Sequence, residues 1–550
     1  MKINGDILMK KIILLILIFA SFLFAQETQL IVLHTTDVHG NIYPYNYFTD
    51  SPAQNGLAKI YTVVKKFRKH YSNVLLLDGG DLLQGTPLIY YYNHIESLPV
   101  NPMIYAMNFM RYDAFTVGNH DIEQGYATYY KAREESHFPW LSANGVRDDG
   151  SAFFEPYKII KKGDIKIGVI GLTTPAIPMW LDESLYPGIT WKGMVESVKR
   201  WVQFVRPQVD ILVGLFHAGM NEDYSKTQTD ALGLPNENAS RLIAQNVPEF
   251  DLILCGHSHR MYPENKNDPH LINGVQFLMS ASHARFLGVA EINLEQVGDN
   301  WEIKKRKSYF VKMDSVEAAS EILTIIKPYH LQTLKYTGEI IGTVSDTISA
   351  KISRWRDNAL VEIINRAQMY TTDADISFAA SFNDDFVLLP GNIKVKDVYG
   401  MYKYENFLYV LEMTGMQIKN YLEYSSDFYQ YDVKEKRLIK NPNVAGYNYD
   451  MAEGISYEID VSEKTGERIK NIKYLKTGKL LEADKIYRVA LNSYRASGGG
   501  GHLAAAGIKN AKIIWKSSEE MRNILIDYIK NKRELNSKID NNWKIVGLRN

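Results

Sequence analysis

The sequence predicts an α/β protein with at least two domains, on the basis of three observations. The chain has 550 residues, 45% hydrophobic and 23% charged, which is typical of globular protein and too long for one hydrophobic core. Its first half contains short aliphatic and β-branched runs bounded by Gly, a pattern typical of buried strands. Its second half lacks clusters of metal-ligating residues, is dense in aromatics and ends in a Gly-rich loop.

The charge balance and the cysteine count limit the partners and the cross-links that can be expected of this chain. Lys+Arg and Asp+Glu both number 63, so the overall charge gives no reason to expect a nucleic-acid polymer or an anionic membrane as partner. The single cysteine, Cys255, rules out an intramolecular disulfide. It lies in an apolar run, and we interpret it as a small buried hydrophobic residue.

The N-terminus resembles an export signal. In "MKKIILLILIFASFLFAQ" two lysines precede an apolar run that ends at Ala25. The run is shorter than the ~20 apolar residues that a membrane span needs. We therefore predict a signal peptide over residues 1–25, with Met1 or Met9 as the start. The expected product is a periplasmic or extracellular protein without a stable membrane anchor.

Five predicted strands are each followed by polar residues of a restricted kind. Because ligands gather at the carboxyl ends of strands in layered α/β folds, these residues are expected to share one pocket. They are Asp37 and His39 in "LIVLHTTDVHGN", Asp78 and Asp81 in "NVLLLDGGD", Asn119, His120 and Asp121 in "AFTVGNHD", His217 in "DILVGLFHAG", and His257 and His259 in "DLILCGHSH".

The residue types indicate metal chemistry. Carboxylate, imidazole and amide oxygen, without thiolate, suit Zn, Mn, Fe, Co or Ni. Seven such candidates already exceed the needs of one tetrahedral ion, whereas two ions about 3.5 Å apart sharing a carboxylate would use all seven. Such pairs of ions hydrolyse phosphate esters. A single Asp or His after a strand more often caps the backbone than binds a metal. Five such clusters in one chain argue against a purely structural role for all of them. Asp78 either hydrogen-bonds to a metal ligand or caps a turn, and the sequence does not decide between these two roles.

The motifs together resemble the calcineurin-like metallophosphoesterases. "DVHGN", "GGDLLQG", "GNHD", "FHAG" and "GHSH" occur in that family's order, and "NENASRLIAQNVPEFDLILCGHSH" is similar to its secreted nucleotidase branch. Further along, "VLEMTGMQIKNYLEYS" and "LNSYRASGGGGH" look like that branch's C-terminal domain. The resemblance covers nearly all of the mature chain.

The resemblance implies a fold and a site. It implies an N-terminal four-layer α/β metallophosphoesterase domain joined by a helix to a smaller α+β substrate-binding domain. We place these at residues 26–312, 313–336 and 337–550; the linker has helix-like apolar spacing up to Pro328. The implied site has Asp37, His39 and His259 on one metal, Asn119, His217 and His257 on the other, Asp81 as bridge, His120 and Asp121 as catalytic dyad, and Tyr404 and Tyr494 stacking on a nucleotide base. The two divalent ions would be Mn, Zn, Co or Fe.

The substrate is narrowed by departures from the family pattern. "SFAASFNDDF" lacks the Gly and Arg of the corresponding 5'-nucleotidase segment, and His259 stands where many 5'-nucleotidases have Gln. The sequence is closer to the 2',3'-cyclic-nucleotide 2'-phosphodiesterase/3'-nucleotidase branch, and we expect a monomer acting on a small nucleotide. Alternatives are a 5'-nucleotidase or nucleotide-sugar hydrolase, a non-catalytic exported nucleotide-binding protein, and a sulfate-thiol hydrolase. Arg354 and Arg356 either contact phosphate or are solvated.

Overall fold

The computed structural model describes residues 26–220, 233, 235–264, 271–432 and 437–547. The predicted signal peptide lies outside the described residues. Within these ranges, no helix combines the length and apolar character that crossing a membrane requires.

The first sheet of the N-terminal domain has six strands. Its four consecutive parallel strands include the three that precede the first three motifs, so those motifs emerge at one edge. Two long antiparallel strands complete the other side. In spatial order the strands are Asn300–Lys312, Phe286–Val297, Glu27–Thr35, Asn73–Asp78, Ala114–Thr116 and Trp140–Leu141.

A second sheet carries the other two motifs. Its central strands are parallel, so the ends of the strands before His217 and His257 also lie at one edge. In spatial order the strands are Met261–Tyr262, Val275–Ser280, Leu252–Cys255, Ile211–His217, Ile165–Thr173 and Tyr157–Lys162, with Leu271–Ile272 paired beside Val275–Ser280.

The two sheets pack face to face between two layers of helices. Leu30, Val32 and Leu75 of the first sheet share a buried core with Val169 and Val213 of the second. Separate cores lie between each outer sheet face and its helices, which confirms the four-layer prediction. The helices of this domain are Leu57–His70, Pro87–Tyr90, Pro102–Met110, Asn119–Glu123, Tyr126–Glu135, Ile177–Trp180, Met194–Val205 and Ser240–Asn246.

The connection to the second domain is the helix Ser320–Thr337. The helix continues through Pro328 and ends nine residues later, at Thr337. The apolar spacing up to Pro328 therefore predicted only the first half of the helix. A proline inside a helix removes one backbone hydrogen bond. Burial of Ile322 and Ile326 on one side of the proline and of Thr333 on the other accounts for its persistence.

The C-terminal domain is built on a five-stranded mixed sheet. The sheet and its helices share one continuous core, as expected for an α+β domain. The strands are Asp450–Glu453, Ile376–Ala380, Ile486–Asn492, Phe407–Thr414 and Ile513–Glu520, in spatial order. Two smaller sheets have three strands each. In one, Ile340–Val344 lies between Gly391–Lys394 and Glu534–Leu535; in the other, Ile455–Asp460 lies between Ile469–Tyr474 and Trp543–Val546. The main helices are Ala359–Thr372, Val395–Met401, Gly415–Ser425 and Met521–Lys532.

Candidate metal centre and substrate cleft

Four of the predicted ligands form one compact cluster beyond the carboxyl edges of the two sheets. Each offers an oxygen or ring nitrogen within 4.8 Å of the others: Asp37, His39, Asp81 and His259. The Nε2 atoms of His39 and His259 are 2.9 Å apart, and Nε2 of His259 lies 3.4 Å from Oδ1 of Asp37. Nδ1 of His39 lies 3.0 Å from Oε1 of Gln84, where it can donate and leave the Nε2 lone pair for a cation. This donor set fits a divalent transition metal.

A second group of predicted ligands adjoins the first and shares Asp81 with it. Nε2 of His217 lies 3.1 Å from Oδ1 of Asn119 and 3.2 Å from Oδ2 of Asp81. The same Asp81 oxygen lies 3.9 Å from Nε2 of His39. Nδ1 of His217 donates to the carbonyl oxygen of Gly79 at 2.7 Å, which leaves the Nε2 lone pair directed at the cluster. One carboxylate oxygen therefore lies near both groups, as a bridging ligand requires.

The seventh predicted ligand, His257, has its ring fixed by an acidic neighbour. Its Nε2 lies 2.8 Å from Oε1 of Glu237, where it donates and leaves the lone pair on Nδ1. The ring centroids of His257 and His217 are 5.2 Å apart. Its backbone N–H donates to both oxygens of Asp37 at 3.1 Å. The structure therefore brings all seven predicted ligands together.

Buried charges make the cluster favourable for cations. Burial lowers the pKa of His217, but the carboxylates of Asp81 and Asp37 outweigh it and raise this pKa to about 9. Burial opposes ionisation of Asp81, yet the charges on His217 and His120 hold its pKa well below the usual range. The two shifts share one cause, the attraction between the Asp81 carboxylate and the protonated imidazoles, and bound cations would take the place of the imidazole protons in this attraction.

The backbone around the cluster is held in an uncommon conformation. Five of the seven predicted ligands have positive φ: Asp37 (50°), His39 (47°), Asp81 (62°), His257 (73°) and His259 (58°). Such conformations persist only where the surroundings fix them, and they gather at functional sites. Glycines make room, because a Cβ on Gly118 would lie 2.1 Å from Oδ1 of Asp81 and one on Gly80 would lie 2.5 Å from Nδ1 of His217.

His120 lies beside the cluster on the short helix Asn119–Glu123, its ring centroid 5.4 Å from that of His39. Its Nδ1 pairs with Oε2 of Glu123 at 2.5 Å. Burial lowers the pKa of His120, but the charges of Glu123 and Asp81 outweigh it and raise this pKa to about 10. Cations on Asp81 would oppose that shift because they neutralise its carboxylate. With Nδ1 engaged by Glu123, Nε2 is the nitrogen left for a substrate.

The prediction that Asp121 orients His120 is wrong. Both oxygens of Asp121 accept backbone N–H groups, and it is completely buried. The donors are the amides of Asp81, Leu82, Leu83 and Gly118, at 2.8–3.0 Å. Asp121 therefore ties the loop that carries Asp81 to the loop that carries Asn119, and Glu123 holds the ring of His120.

A cavity of about 340 Å³ extends from the metal-capable cluster into the C-terminal domain. Asn119, His120 and His257 line it on one side, and Tyr404 and Tyr494 line it on the other. The two domains therefore enclose a single site in this arrangement. Its remaining lining residues are Glu123, Trp180, Leu181, Phe382, Asn406, Tyr447, Asn492, Ser493 and Arg495.

The two predicted stacking tyrosines share the cavity with further aromatic rings. The Tyr404 ring meets Phe382 edge-on with centroids 5.3 Å apart, and Tyr447 edge-on at 6.5 Å. Tyr404 is 41% exposed, so a face of its ring remains accessible to a ligand. Burial raises the pKa of Tyr494 to about 12, which keeps its hydroxyl protonated. Flat apolar faces of this kind suit a nucleotide base.

The Gly-rich loop after Tyr494 is organised around Arg495. The guanidinium of Arg495 forms a buried ion pair with Asp450, Nε to Oδ2 2.8 Å, and donates to the carbonyl oxygen of Gly499 at 3.1 Å. A Cβ on Gly500 would lie 2.3 Å from Nη1 of Arg495, so the loop can close on the arginine only with glycine there. This packing fixes the position of Tyr494.

The structure also decides residues that the sequence left open. Asp78 accepts from the Gly80 N–H at 2.9 Å and from the Thr35 hydroxyl at 2.6 Å, so it caps a turn. Cys255 is buried, as predicted, and burial raises the pKa of its thiol to about 12. Arg354 pairs with Asp384 and donates to the Ser381 carbonyl oxygen at 3.0 Å, whereas Arg356 is exposed.

Sequence reasoning missed several residues of the site. Glu123 could have been found, because residues three apart on a helix face the same way. Glu237 and Gln84 hold His257 and His39 from distant segments and gave no local signal. Trp180, whose ring centroid lies 5.5 Å from that of His257, gave none either.

Fold and site together define the class of protein: a four-layer α/β hydrolase with a centre of clustered carboxylates and imidazoles, of the kind that binds paired metal ions. Residues 30–261 match the family model of the calcineurin-like phosphoesterases, and residues 340–507 match that of the 5'-nucleotidase C-terminal domain. The chain belongs to the calcineurin-like phosphoesterases that carry this C-terminal domain. It is a metal-dependent phosphoester hydrolase.

Similar proteins agree with this assignment. A 2',3'-cyclic-nucleotide 2'-phosphodiesterase/3'-nucleotidase of Yersinia enterocolitica is 29% identical over 95% of this chain and 89% of its own length. The trifunctional nucleotide phosphoesterase protein YfkN of Bacillus subtilis is 28% identical over 95% of this chain, which spans only 39% of that longer protein. A putative 5'-nucleotidase structure from Staphylococcus aureus shares the fold, with a TM-score of 0.79, 23% identity, and coverage of 94% of this chain and 100% of its own.

Proposed function

We propose that this chain is a 2',3'-cyclic-nucleotide 2'-phosphodiesterase/3'-nucleotidase that uses two divalent metal ions. The observation that carries the proposal is the single cavity in which Asn119, His120 and His257 face Tyr404 and Tyr494. A volume of about 340 Å³ suits one mononucleotide, with its phosphate at the metal centre and its base between aromatic rings.

Seven residues would hold the ions. Their imidazole nitrogens and carboxylate oxygens fit Mn, Zn, Co or Fe. Asp37, His39 and His259 would bind one ion, Asn119, His217 and His257 the other, and Asp81 both. Bound ions would supply Lewis-acid stabilisation of the phosphoryl charge and activation of water.

His120 would act on the substrate from the side of the cavity. Glu123 holds Nδ1, so a protonated Nε2 can donate to a phosphoryl oxygen or to the departing ribose oxygen. For a 2',3'-cyclic nucleotide, water adds to phosphorus as the bond to O2' breaks, which leaves the 3'-nucleotide. A second water then displaces O3' and releases the nucleoside and phosphate.

The choice of 2',3'-cyclic and 3'-nucleotides rests on two further observations. The ligand position in the last motif is His259, and the segment "SFAASFNDDF" contains neither Gly nor Arg. Arg354 reaches this segment from elsewhere in the chain, but its guanidinium is engaged by Asp384 and Ser381. That arrangement does not favour the binding of a 5'-phosphate by this segment that is expected of a 5'-nucleotidase.

A substrate panel tests the proposal. Purified protein with Mn or Co should convert adenosine 2',3'-cyclic phosphate to 3'-AMP and then to adenosine, and should act more slowly on 5'-AMP and UDP-glucose. Faster hydrolysis of 5'-AMP would support a 5'-nucleotidase instead. Nucleotide binding without turnover at any metal would contradict an enzymatic role.

Export and a monomeric state are part of the same proposal. Export rests on the signal-like residues 1–25, and mass spectrometry of protein recovered outside the cytoplasm should find a mature chain that begins near residue 26. Size-exclusion chromatography with light scattering should give the mass of one chain.

A further inference from the structure

The loop that carries Tyr404 touches the catalytic helix of the other domain. Nε2 of Gln124, which follows the helix Asn119–Glu123, donates to Oε2 of Glu405 at 3.3 Å. Both side chains are buried, with 7% of Gln124 and 3% of Glu405 exposed. A buried contact to a carboxylate is directional and is expensive to leave unpaired.

On the C-terminal side, the contact is part of a stiff loop. Nη1 of Arg522 binds Oε1 of Glu405 at 2.9 Å, and Nε of the same guanidinium donates to the carbonyl oxygen of Tyr402 at 3.1 Å. The guanidinium also lies over the Tyr399 ring, 4.6 Å from its centroid. Since one buried arginine binds the loop on both sides of Tyr404, this ring and Glu405 must move together.

On the catalytic side, Gln124 is equally well held. Its Oε1 accepts from Nε2 of His94 at 3.0 Å and from Nδ2 of Asn93 at 3.1 Å. Asn93 also donates to the carbonyl oxygen of Leu83 at 2.6 Å, in the loop whose amides Asp121 organises. A shift of Gln124 therefore reaches both the helix that carries His120 and the loop that follows the bridging carboxylate.

We propose that Gln124 and Glu405 are positioning residues that couple the base-stacking loop to the catalytic helix. A base that stacks on Tyr404 fixes the position of this stiff loop relative to the other domain. Glu405 then holds Gln124, and with it the helix that carries His120. Gln124 and Glu405 contact neither phosphate nor metal in this scheme, which rests on the proposed nucleotide hydrolysis. The benefit should therefore appear for substrates that carry a base and not for small phosphate esters.

The test compares Gln124→Ala and Gln124→Glu with a control at another contact between the domains. Gln124→Glu places a second carboxylate against Glu405. Losing a hydrogen bond to a charged group at this distance should lower kcat for a 3'-nucleotide about ten-fold, and the added repulsion should lower it further. Turnover of methyl phosphate should change less than two-fold. The control, Lys396→Ala, removes the Lys396–Asp50 ion pair, a different contact between the domains, and should leave turnover of both substrates unaffected.

A double-mutant cycle locates the coupling. With Tyr404→Ala already in place, Gln124→Ala should lose little further activity, because the loop no longer responds to a base. Additive losses, or equal losses on the nucleotide and methyl phosphate, would overturn the coupling and leave the proposed function standing. A wild-type protein that hydrolyses methyl phosphate but no nucleotide would overturn the proposed function and the coupling with it. Thermal unfolding of each variant checks folding, and Gln124→Ala serves if Gln124→Glu does not fold.

Discussion

Replacing Glu123 and Asp121 one at a time separates orientation of His120, the proposed catalytic histidine, from support of the loops that carry Asp81 and Asn119. Glu123→Gln keeps the side-chain volume but removes the negative charge that faces Nδ1 of His120 at 2.5 Å. A hydrogen bond to a charged group contributes ~1.5–3 kcal/mol. We therefore expect kcat to fall roughly 10- to 150-fold, with both metal ions retained.

Asp121→Asn should act on stability instead. Its two oxygens accept four backbone N–H groups, from Asp81, Leu82, Leu83 and Gly118. Asparagine has one acceptor oxygen and presents its NH₂ to the remaining donors, so two amides lose their partner. At ~1–3 kcal/mol for each unsatisfied group, the free energy of unfolding should fall by about 2–6 kcal/mol. Metal occupancy should fall too, because these amides fix the loop of Asp81, the proposed bridging ligand.

Three measurements distinguish the two variants: kcat on a 3'-nucleotide at saturating metal, metal content by elemental analysis, and denaturant unfolding. Glu134→Gln is the matched control, since Glu134 is exposed on the neighbouring helix Tyr126–Glu135. Suppose Asp121→Asn kept its stability and metals but lost the rate, while Glu123→Gln behaved like the control. The roles assigned here would then be reversed.

Three further predictions concern the metals, the base and the C-terminal domain. Chelation should abolish turnover and Mn, Co or Zn should restore it, with two ions per active chain by elemental analysis; an active enzyme with one ion would contradict the paired centre. Tyr404→Ala and Tyr494→Ala should each raise KM for nucleotides roughly 5- to 150-fold through a lost stacking contact of ~1–3 kcal/mol, and equal losses on methyl phosphate would mean that the rings only support the fold. Burial, followed by the charge of Asp540, raises the pKa of Glu453 to about 8. The protonated Glu453 therefore contributes stability that is fully present below the pKa of this group in the unfolded chain, and this contribution is lost as the pH rises toward 8. The free energy of unfolding of Glu453→Gln should therefore depend less steeply on pH between about 5 and 8 than that of the wild type, and an unchanged slope would refute this cause.

Much of the catalytic domain was predictable because its signals are local. A buried strand with Gly and a metal-capable side chain at its end is contained in about ten residues. The strand that ends before Asp37 and the strand that ends at His217 have the expected form. Parallel pairing then brings their ends to one edge, so the convergence of the clusters follows from fold class. The structure places the seven predicted ligands together for that reason.

The sequence by itself therefore determined the α/β class and the candidate metal-ligating residues at the strand ends, since both depend on periodicity and residue type within short segments. The four-layer arrangement and the assignment of seven ligands came from the resemblance of the motifs to the calcineurin-like metallophosphoesterases. Only the tertiary structure decided which carboxylate faces His120, because Asp121 and Glu123 lie on the same short helix and their direction depends on what packs around it. The Gln124–Glu405 contact joins residues 281 positions apart, and the cavity also joins distant segments; sequence patterns carry no distance information at such separations. Buried polar groups must be paired wherever the fold places them, so the choice among chemically equivalent partners is made by packing.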